Sequence, residues 1–226
     1  MSLLVTTLLL SLRPSAASCY YISPSGTPSG DGSIAEPWDI GTALSNKVAA
    51  VKSGDTVYLR AGSYVNSAAA NGQIAISYNG QPGNPVIVRA YPGERATIDA
   101  RNFAYQQNIL AGANGAENFI CRIDGQFCWV MDLEFTESST QSRNSYSRVN
   151  GVYLNSPGCA LINCVIHNVD VGILPMPEAA PWIVYGNIVI NNGWYGTGVG
   201  TPGHGIYAQN NSTTQIAQLK DNIVVD

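Results

Sequence analysis

The sequence predicts an all-β solenoid, a parallel β-helix, on three observations. One short pattern recurs four times, an Asp or Asn followed by an apolar, a variable and a second apolar residue. Its copies are Asp132-Leu-Glu-Phe135, Asn163-Cys-Val-Ile166, Asn187-Ile-Val-Ile190 and Asn222-Ile-Val-Val225, at offsets of 31, 24 and 35 residues. A second unit, Gly followed by two apolar or aromatic residues, falls between them as Gly151-Val-Tyr153, Gly172-Ile-Leu174 and Gly205-Ile-Tyr207. Each repeat therefore carries at least two short strands joined by turns, and none is long enough to enclose a core alone, so the repeats must stack.

Stacking makes definite demands on side chains. Leu133, Cys164, Ile188 and Ile223 are expected to form one inward ladder, and Phe135, Ile166, Ile190 and Val225 another. Asp132, Asn163, Asn187 and Asn222 are expected to stack beside them. Aligned Asn side chains bond one another and the backbone at a bend, so this ladder reads as structural.

Length and charge bound the rest. The 226 residues suit one domain, and with 12% charged residues and a net charge of -4 there is no electrostatic case for nucleic acid. From the N-terminus, Leu3 to Leu12 is an apolar run followed by Arg13-Pro-Ser-Ala-Ala-Ser18. It is too short to span a bilayer and ends in small residues, so residues 1–18 read as a signal peptide, without the usual basic start. Cys19 directly after Ala-Ala-Ser also permits a lipoprotein reading. Either way the product is expected to be secreted or held at the cell surface or in a periplasm, with the β-helix over residues 19–226.

Tyr20 opens a short strand that breaks into a Gly, Pro and Ser turn region. Ile40, Leu44, Val48 and Val51 then recur at near-helical spacing behind Asp39, which predicts a capped helix from Ile40 to about Val51. A helix ahead of a β-stack is expected to cap its open first coil. Strands are predicted within Ser53–Arg60, Ile74–Ser77, Pro85–Ala90, Ala96–Asp99, Phe119–Ile123 and Cys128–Phe135, with turns at Ala61–Tyr64 and Tyr91–Glu94 and an irregular loop over Arg101–Gly115. The chain stops inside the Asn222 strand with neither a closing helix nor a polar last coil, so a truncated solenoid is expected.

Four cysteines lie beyond Cys19. Cys128 and Cys159 share a register one coil apart, which suits either a disulfide or stacked free thiols, and Cys164 falls on an inward ladder; with Cys121 they lack zinc-site spacing.

Five segments resemble, in order, the N-terminal coils of right-handed single-stranded parallel β-helix proteins of the pectate-lyase-like superfamily. They are Tyr21-Ile-Ser-Pro-Ser-Gly26, Glu36-Pro-Trp38, Gly54-Asp-Thr-Val-Tyr-Leu-Arg60, Gly62-Ser-Tyr64 and Gly83-Asn-Pro-Val-Ile-Val-Arg-Ala-Tyr-Pro-Gly93. The resemblance covers about residues 20 to 226 and is similar to β-helical polysaccharide lyases of the chondroitinase B, alginate lyase and pectate lyase kinds. It implies β-elimination, in which a Lys or Arg takes the proton beside a uronate carboxylate whose charge calcium often neutralises. This sequence departs from that pattern. Its only lysines are Lys47, Lys52 and Lys220, and it has no dense carboxylate cluster, so no metal ligands are assigned and calcium is implied by the resemblance alone.

Insertions in a solenoid line a common face, and the spacing varies most over residues 137–150, 168–171 and 192–204. His204, His167 and Arg148 are the candidate catalytic residues, because a His pKa lies near working pH. Either His also suits a structural role, bonding a neighbouring turn. Arg143, Tyr146, Trp194, Tyr195 and Asp170 are the candidate substrate-binding residues: aromatic rings stack on sugars, and Arg pairs bidentately with uronates. The sequence thus points to a monomeric lyase-like enzyme acting on an acidic polysaccharide, with no membrane span. A non-catalytic glycan-binding adhesin and a glycoside hydrolase are the alternatives.

Overall fold

The computed structural model describes residues 16–65, 73–101, 119–139, 149–193 and 203–225. In chain order, β1 (Cys19–Ile22) leads through helix α1 (Ile40–Ser45) to a coil of β2 (Thr56–Leu59), β3 (Gly62–Tyr64) and β4 (Ile74–Ile76). The next coils are β5 (Val86–Ala90), β6 (Ala96–Asp99) and β7 (Phe119–Ile123), then β8 (Cys128–Met131), β9 (Glu134–Thr136) and β10 (Asn150–Leu154). They are followed by β11 (Ala160–Ile162), β12 (Val165–His167) and β13 (Ile173–Pro175), then β14 (Ile183–Tyr185) with β15 (Ile188–Ile190), and β16 (Gln218–Lys220) with β17 (Ile223–Val225).

Each strand pairs in parallel with its counterpart one coil away, which sorts them into three sheets. The first is β1-β2-β5-β8-β11-β14-β16, the second β17-β15-β12-β9-β6-β3 and the third β13-β10-β7-β4. The core fills the space between. Val57, Val88, Val130, Leu161 and Val184 align inward from the first sheet, and Tyr64, Ile98, Phe135, Ile166 and Val189 from the second. All are at most 3% exposed, and burying each such side chain contributes roughly 1.5–3 kcal/mol.

The register corrects the expected ladders. Ile166 pairs with Val189 and Val189 with Val224, so Asn187 and Asn222, not Ile188 and Ile223, follow Leu133 and Cys164 on the inner column. Ile188, Ile190, Ile223 and Val225 point outward and are 36% to 56% exposed. The cause is the bend between the first two sheets, which needs one residue at positive φ. Asp132 (φ 58°), Asn163 (φ 54°), Gly186 (φ 68°) and Asp221 (φ 55°) occupy it, all residue types that tolerate this region. Asn187 and Asn222 therefore sit one step later and inside. The Asn187 Nδ2 donates to Leu161 O at 3.0 Å and to Asn222 Oδ1 at 2.9 Å, and its Oδ1 accepts from the Cys164 N–H at 2.9 Å. These two asparagines form a structural ladder; Asp132 and Asn163 belong to the bend column, where Asp132 pairs with Arg89.

The glycine unit has a separate cause. A Cβ on Gly151 would lie 2.2 Å from Gly172 O and 2.9 Å from an Ile166 methyl; one on Gly172 would lie 2.4 Å from Gly205 O and 2.7 Å from a Val189 methyl. The backbone entering the third sheet passes too close to the coil above and to the second sheet's inward ladder for any side chain.

Three local expectations also change. Helix α1 ends at Ser45 and not near Val51, because the Asn46 and Lys47 N–H groups both turn back to Thr42 O. Its N-cap is Asp39, which accepts from the Thr42 N–H at 2.9 Å, and Ile40, Leu44 and Val48 still pack on the core. Ala61–Tyr64 contains a strand and not only a turn, since Tyr64 points inward and its hydroxyl donates to Arg60 O at 2.7 Å, with Ile22 O 3.0 Å away. The expected strand Cys128–Phe135 divides at Asp132. Cys121, Cys128, Cys159 and Cys164 are buried free thiols, and burial pushes the Cys159 and Cys164 thiols up to about 12.

Candidate functional site

The outer face of the third sheet carries a polar strip. Outward positions on successive coils hold Ala75, Arg122, Tyr153 and Leu174, and Tyr207 follows the residue that bridges to Ile173. Coils rise by about 4.8 Å each. Alternation in Phe119–Ile123 turns Arg122 outward while Cys121 and Ile123 enter the core. Its guanidinium donates to Asp124 Oδ1 at 3.0 Å and lies 5.8 Å from the Tyr153 ring centre. Asp124 Oδ1 also accepts from the Asn155 amide at 2.8 Å. Tyr153 is a buried floor, its ring 4.9 Å from Phe119, and burial raises its hydroxyl pKa against the lowering effect of Arg122. The Arg122 side chain is 25% exposed, and its Nε has no hydrogen-bond partner. Further along the strip, the exposed rings of His204 and Tyr207 stack with centroids 5.3 Å apart.

The outer face of the second sheet holds a different cluster. Glu134 lies 7% exposed on β9, pointing away from Leu133 and Phe135 as the alternation requires. It accepts from Arg95 Nε at 2.8 Å and again from the Arg95 Nη2, from the Thr97 hydroxyl, and bonds His167 Nε2 at 2.9 Å. Burial opposes its charge, and the bonds from Arg95, Thr97 and His167 outweigh that, holding its pKa at about 2. The other His167 nitrogen lies 3.3 Å from the Thr136 hydroxyl.

Three of the candidates read from sequence are therefore placed. His204 sits at the entrance to the third sheet. Asp170 lies in the adjoining corner, its carboxylate filling the space a Cβ on Gly203 would take. His167 is on the second sheet, tied to Glu134, and is not brought to this strip. Arg143, Tyr146, Arg148, Trp194 and Tyr195 lie outside the described residues. Sequence reasoning passed over Arg122, Asp124, Tyr153 and Asn155. Tyr153 and Tyr207 share the third position of the glycine unit, a usable signal; Arg122 sits on a strand with no repeat partner to mark it.

Calcium needs a cage of hard oxygen ligands. Among the described residues no group of three or more His, Cys, Asp or Glu side chains is arranged to hold a metal ion, and Asp124 is already engaged by Arg122 and Asn155. These residues do not fit such a site.

Three parallel sheets wound coil upon coil, with short bends and one polar outer strip, define a parallel β-helix protein. The chain belongs to the Pel9A-like right-handed β-helix family, whose model of the "Pel9A-like, right handed beta helix region" matches residues 20–217, in keeping with the superfamily resemblance of the first coils. It is 28% identical over 141 residues to the pectate lyase PEL9 of Emericella nidulans, covering 59% of this chain and 33% of that protein. Its fold is similar to that of the crystal structure of pectate lyase Pel9A, with a TM-score of 0.64 at 20% identity over 92% of this chain and 46% of the other. It is similar too to the GH136 lacto-N-biosidase of Eubacterium ramulus, with a TM-score of 0.59 at 16% identity over 92% and 41%. The chain thus spans about a third of the curated relative and under half of each of these two solved chains. No described helix is long and apolar enough to cross a membrane.

Proposed function

We propose that this chain is part of an exported polysaccharide lyase-like enzyme that cleaves a uronate-containing glycan by β-elimination along the outer strip of the third sheet. The observation that carries the reading is Arg122 on the strip: a guanidinium has five donors, one is given to Asp124, and the side chain stays 25% exposed. A fixed, part-exposed guanidinium suits the carboxylate of a uronate bound about three coils along the strip from the one that loses its proton. His204 is the candidate proton acceptor, its ring orientation held by Tyr207. Likeness to pectate lyase PEL9 supports a pectic substrate class.

The test is incubation of the full chain with polygalacturonate, alginate and chondroitin sulfate, with and without calcium, following the ultraviolet absorbance of unsaturated uronates. A rise that His204→Ala nearly abolishes, and that Arg122→Ala weakens through a higher KM, supports the reading. New reducing ends without that absorbance favour the glycoside hydrolase, the class of the GH136 neighbour. Retained glycan binding with neither signal favours the adhesin.

A further inference from the structure

The loop between Tyr207 and β16 carries two overlapping Asn-X-Ser/Thr triplets, Asn210-Asn211-Ser212 and Asn211-Ser212-Thr213, and the sequence contains no other. The two asparagines are not equivalent. Asn210 closes a local turn, its Oδ1 accepting from the Ser212 N–H at 2.9 Å and its Nδ2 donating to Gln215 O at 3.3 Å. The Ser212 hydroxyl is engaged as well, accepting from the Thr214 and Gln215 N–H groups. Asn211 and Thr213 are exposed and enter none of these bonds. The loop is held at both ends: Gln209 N–H donates to Pro175 O at 3.1 Å, the Trp182 indole donates to Gln209 O at 3.0 Å, and Gln218 N–H donates to Trp182 O at 2.8 Å.

We propose that Asn211 is an N-glycosylation site, with Thr213 supplying the hydroxyl that the transferase recognises. The inference rests on the export proposed above and not on the lyase reading. The donor is a polyprenyl-diphosphate-linked oligosaccharide. Asn211 Nδ2 bonds to C1 of its first sugar, the bond from C1 to the diphosphate oxygen breaks, the polyprenyl diphosphate leaves with that electron pair, and the displaced amide proton passes to a base of the transferase. In the folded chain the sugar then extends from an anchored turn into solvent. It also sits on the loop that exposes Ile216, at 80% the most exposed large apolar side chain among the described residues.

The test expresses the full chain in a yeast and recovers it from the medium or from protease-protected vesicles. Expected is a loss of mass on peptide-N-glycosidase treatment, with Asn211 converted to Asp in the released peptide. N211Q and T213A remove the glycan, whereas S212A, which breaks only the Asn210 triplet, keeps it. A lumenal chain of unmodified mass, or a glycan that persists in N211Q, overturns the assignment. A chain found only in the protease-sensitive cytosolic fraction overturns it through export and leaves the lyase reading to the ultraviolet assay. Circular dichroism of N211Q, expected to match the unsubstituted protein, separates loss of the acceptor from loss of the fold.

Discussion

The outer faces of the second and third sheets present nearly the same chemical parts, an arginine, a carboxylate, a histidine and small polar groups, and they use them in opposite ways. On the second sheet Glu134 is 7% exposed and engaged by Arg95, Thr97 and His167 together. Its bonding capacity is spent within the fold. On the third sheet Arg122 gives one hydrogen bond to Asp124 and stays part-exposed, while His204 and Tyr207 stand exposed further along the strip. A saturated cluster stabilises, and an unsaturated one is left free to recognise. Burial and bonding decide which, so residue type in the sequence is a poor guide between the two histidines.

The largest effect that sharpens this contrast is on turnover. His204→Ala is expected to lower the rate on the preferred glycan about 10²–10⁴-fold, the usual range for losing a general base, with an unchanged urea midpoint. Glu134→Ala is expected to do the reverse. Removing one partner of a buried ion pair leaves the others unmatched. The Arg95 side chain is 76% exposed, so solvent repairs part of the loss, and a cost of about 2 kcal/mol in urea unfolding is expected, with rate per folded molecule unaltered.

The same carboxylate sets an acid limb. Its folded pKa of about 2 lies below the ordinary 4.5, so its stabilisation is fully present above that ordinary value and is lost as the pH falls from there towards 2. The pKa difference bounds the contribution at about 3 kcal/mol, and exposure of Arg95 brings the net value to about 1–2 kcal/mol. Unfolding midpoints measured from pH 6 down to pH 2 should therefore converge for the unsubstituted protein and Glu134→Gln; parallel curves would remove Glu134 as the cause.

The stacking of short strands was legible in the sequence because the two repeated units mark it, and Phe135 and Ile166 point inward as their alternation demands. The register of the upper coils was not. Asn187-Ile-Val-Ile190 reads like Asn163-Cys-Val-Ile166, yet Gly186 takes the positive-φ bend and moves Asn187 one place inward. A slip of one residue exchanges the faces of a whole strand, and three consecutive apolar residues cannot report it. The clue was the doubled candidates for the bend, Gly186-Asn187 and Asp221-Asn222. Likewise Arg122 was hidden in a stretch without repeats, while His167 looked like a groove residue because its hydrogen-bond partner Glu134 lies 33 positions away.

Smaller effects probe the edges of the comparison. Arg122→Ala removes the unsaturated group itself. It is expected to raise KM for an acidic glycan about tenfold, near 1.4 kcal/mol of lost charge-assisted bonding, and to leave a neutral glycan's binding unchanged. Tyr153 remains packed on Phe119, so the unfolding free energy should shift by less than about 1 kcal/mol.

His167→Gln should change least. The imidazole makes one good bond, at 2.9 Å to Glu134, and a longer one of 3.3 Å to Thr136. Glu134 keeps both Arg95 contacts and Thr97 when the ring is removed, so no buried charge is abandoned, and the glutamine amide supplies a replacement donor. A loss of under about 1 kcal/mol in unfolding is expected, with kcat and KM both unaltered, because the side chain lies on the second sheet and the proposed substrate strip on the third. If His167→Gln instead lowered kcat while the unfolding curve stayed in place, the saturated cluster would itself be part of the chemistry, and the division between a stabilising face and a recognising face would fail at its plainest point.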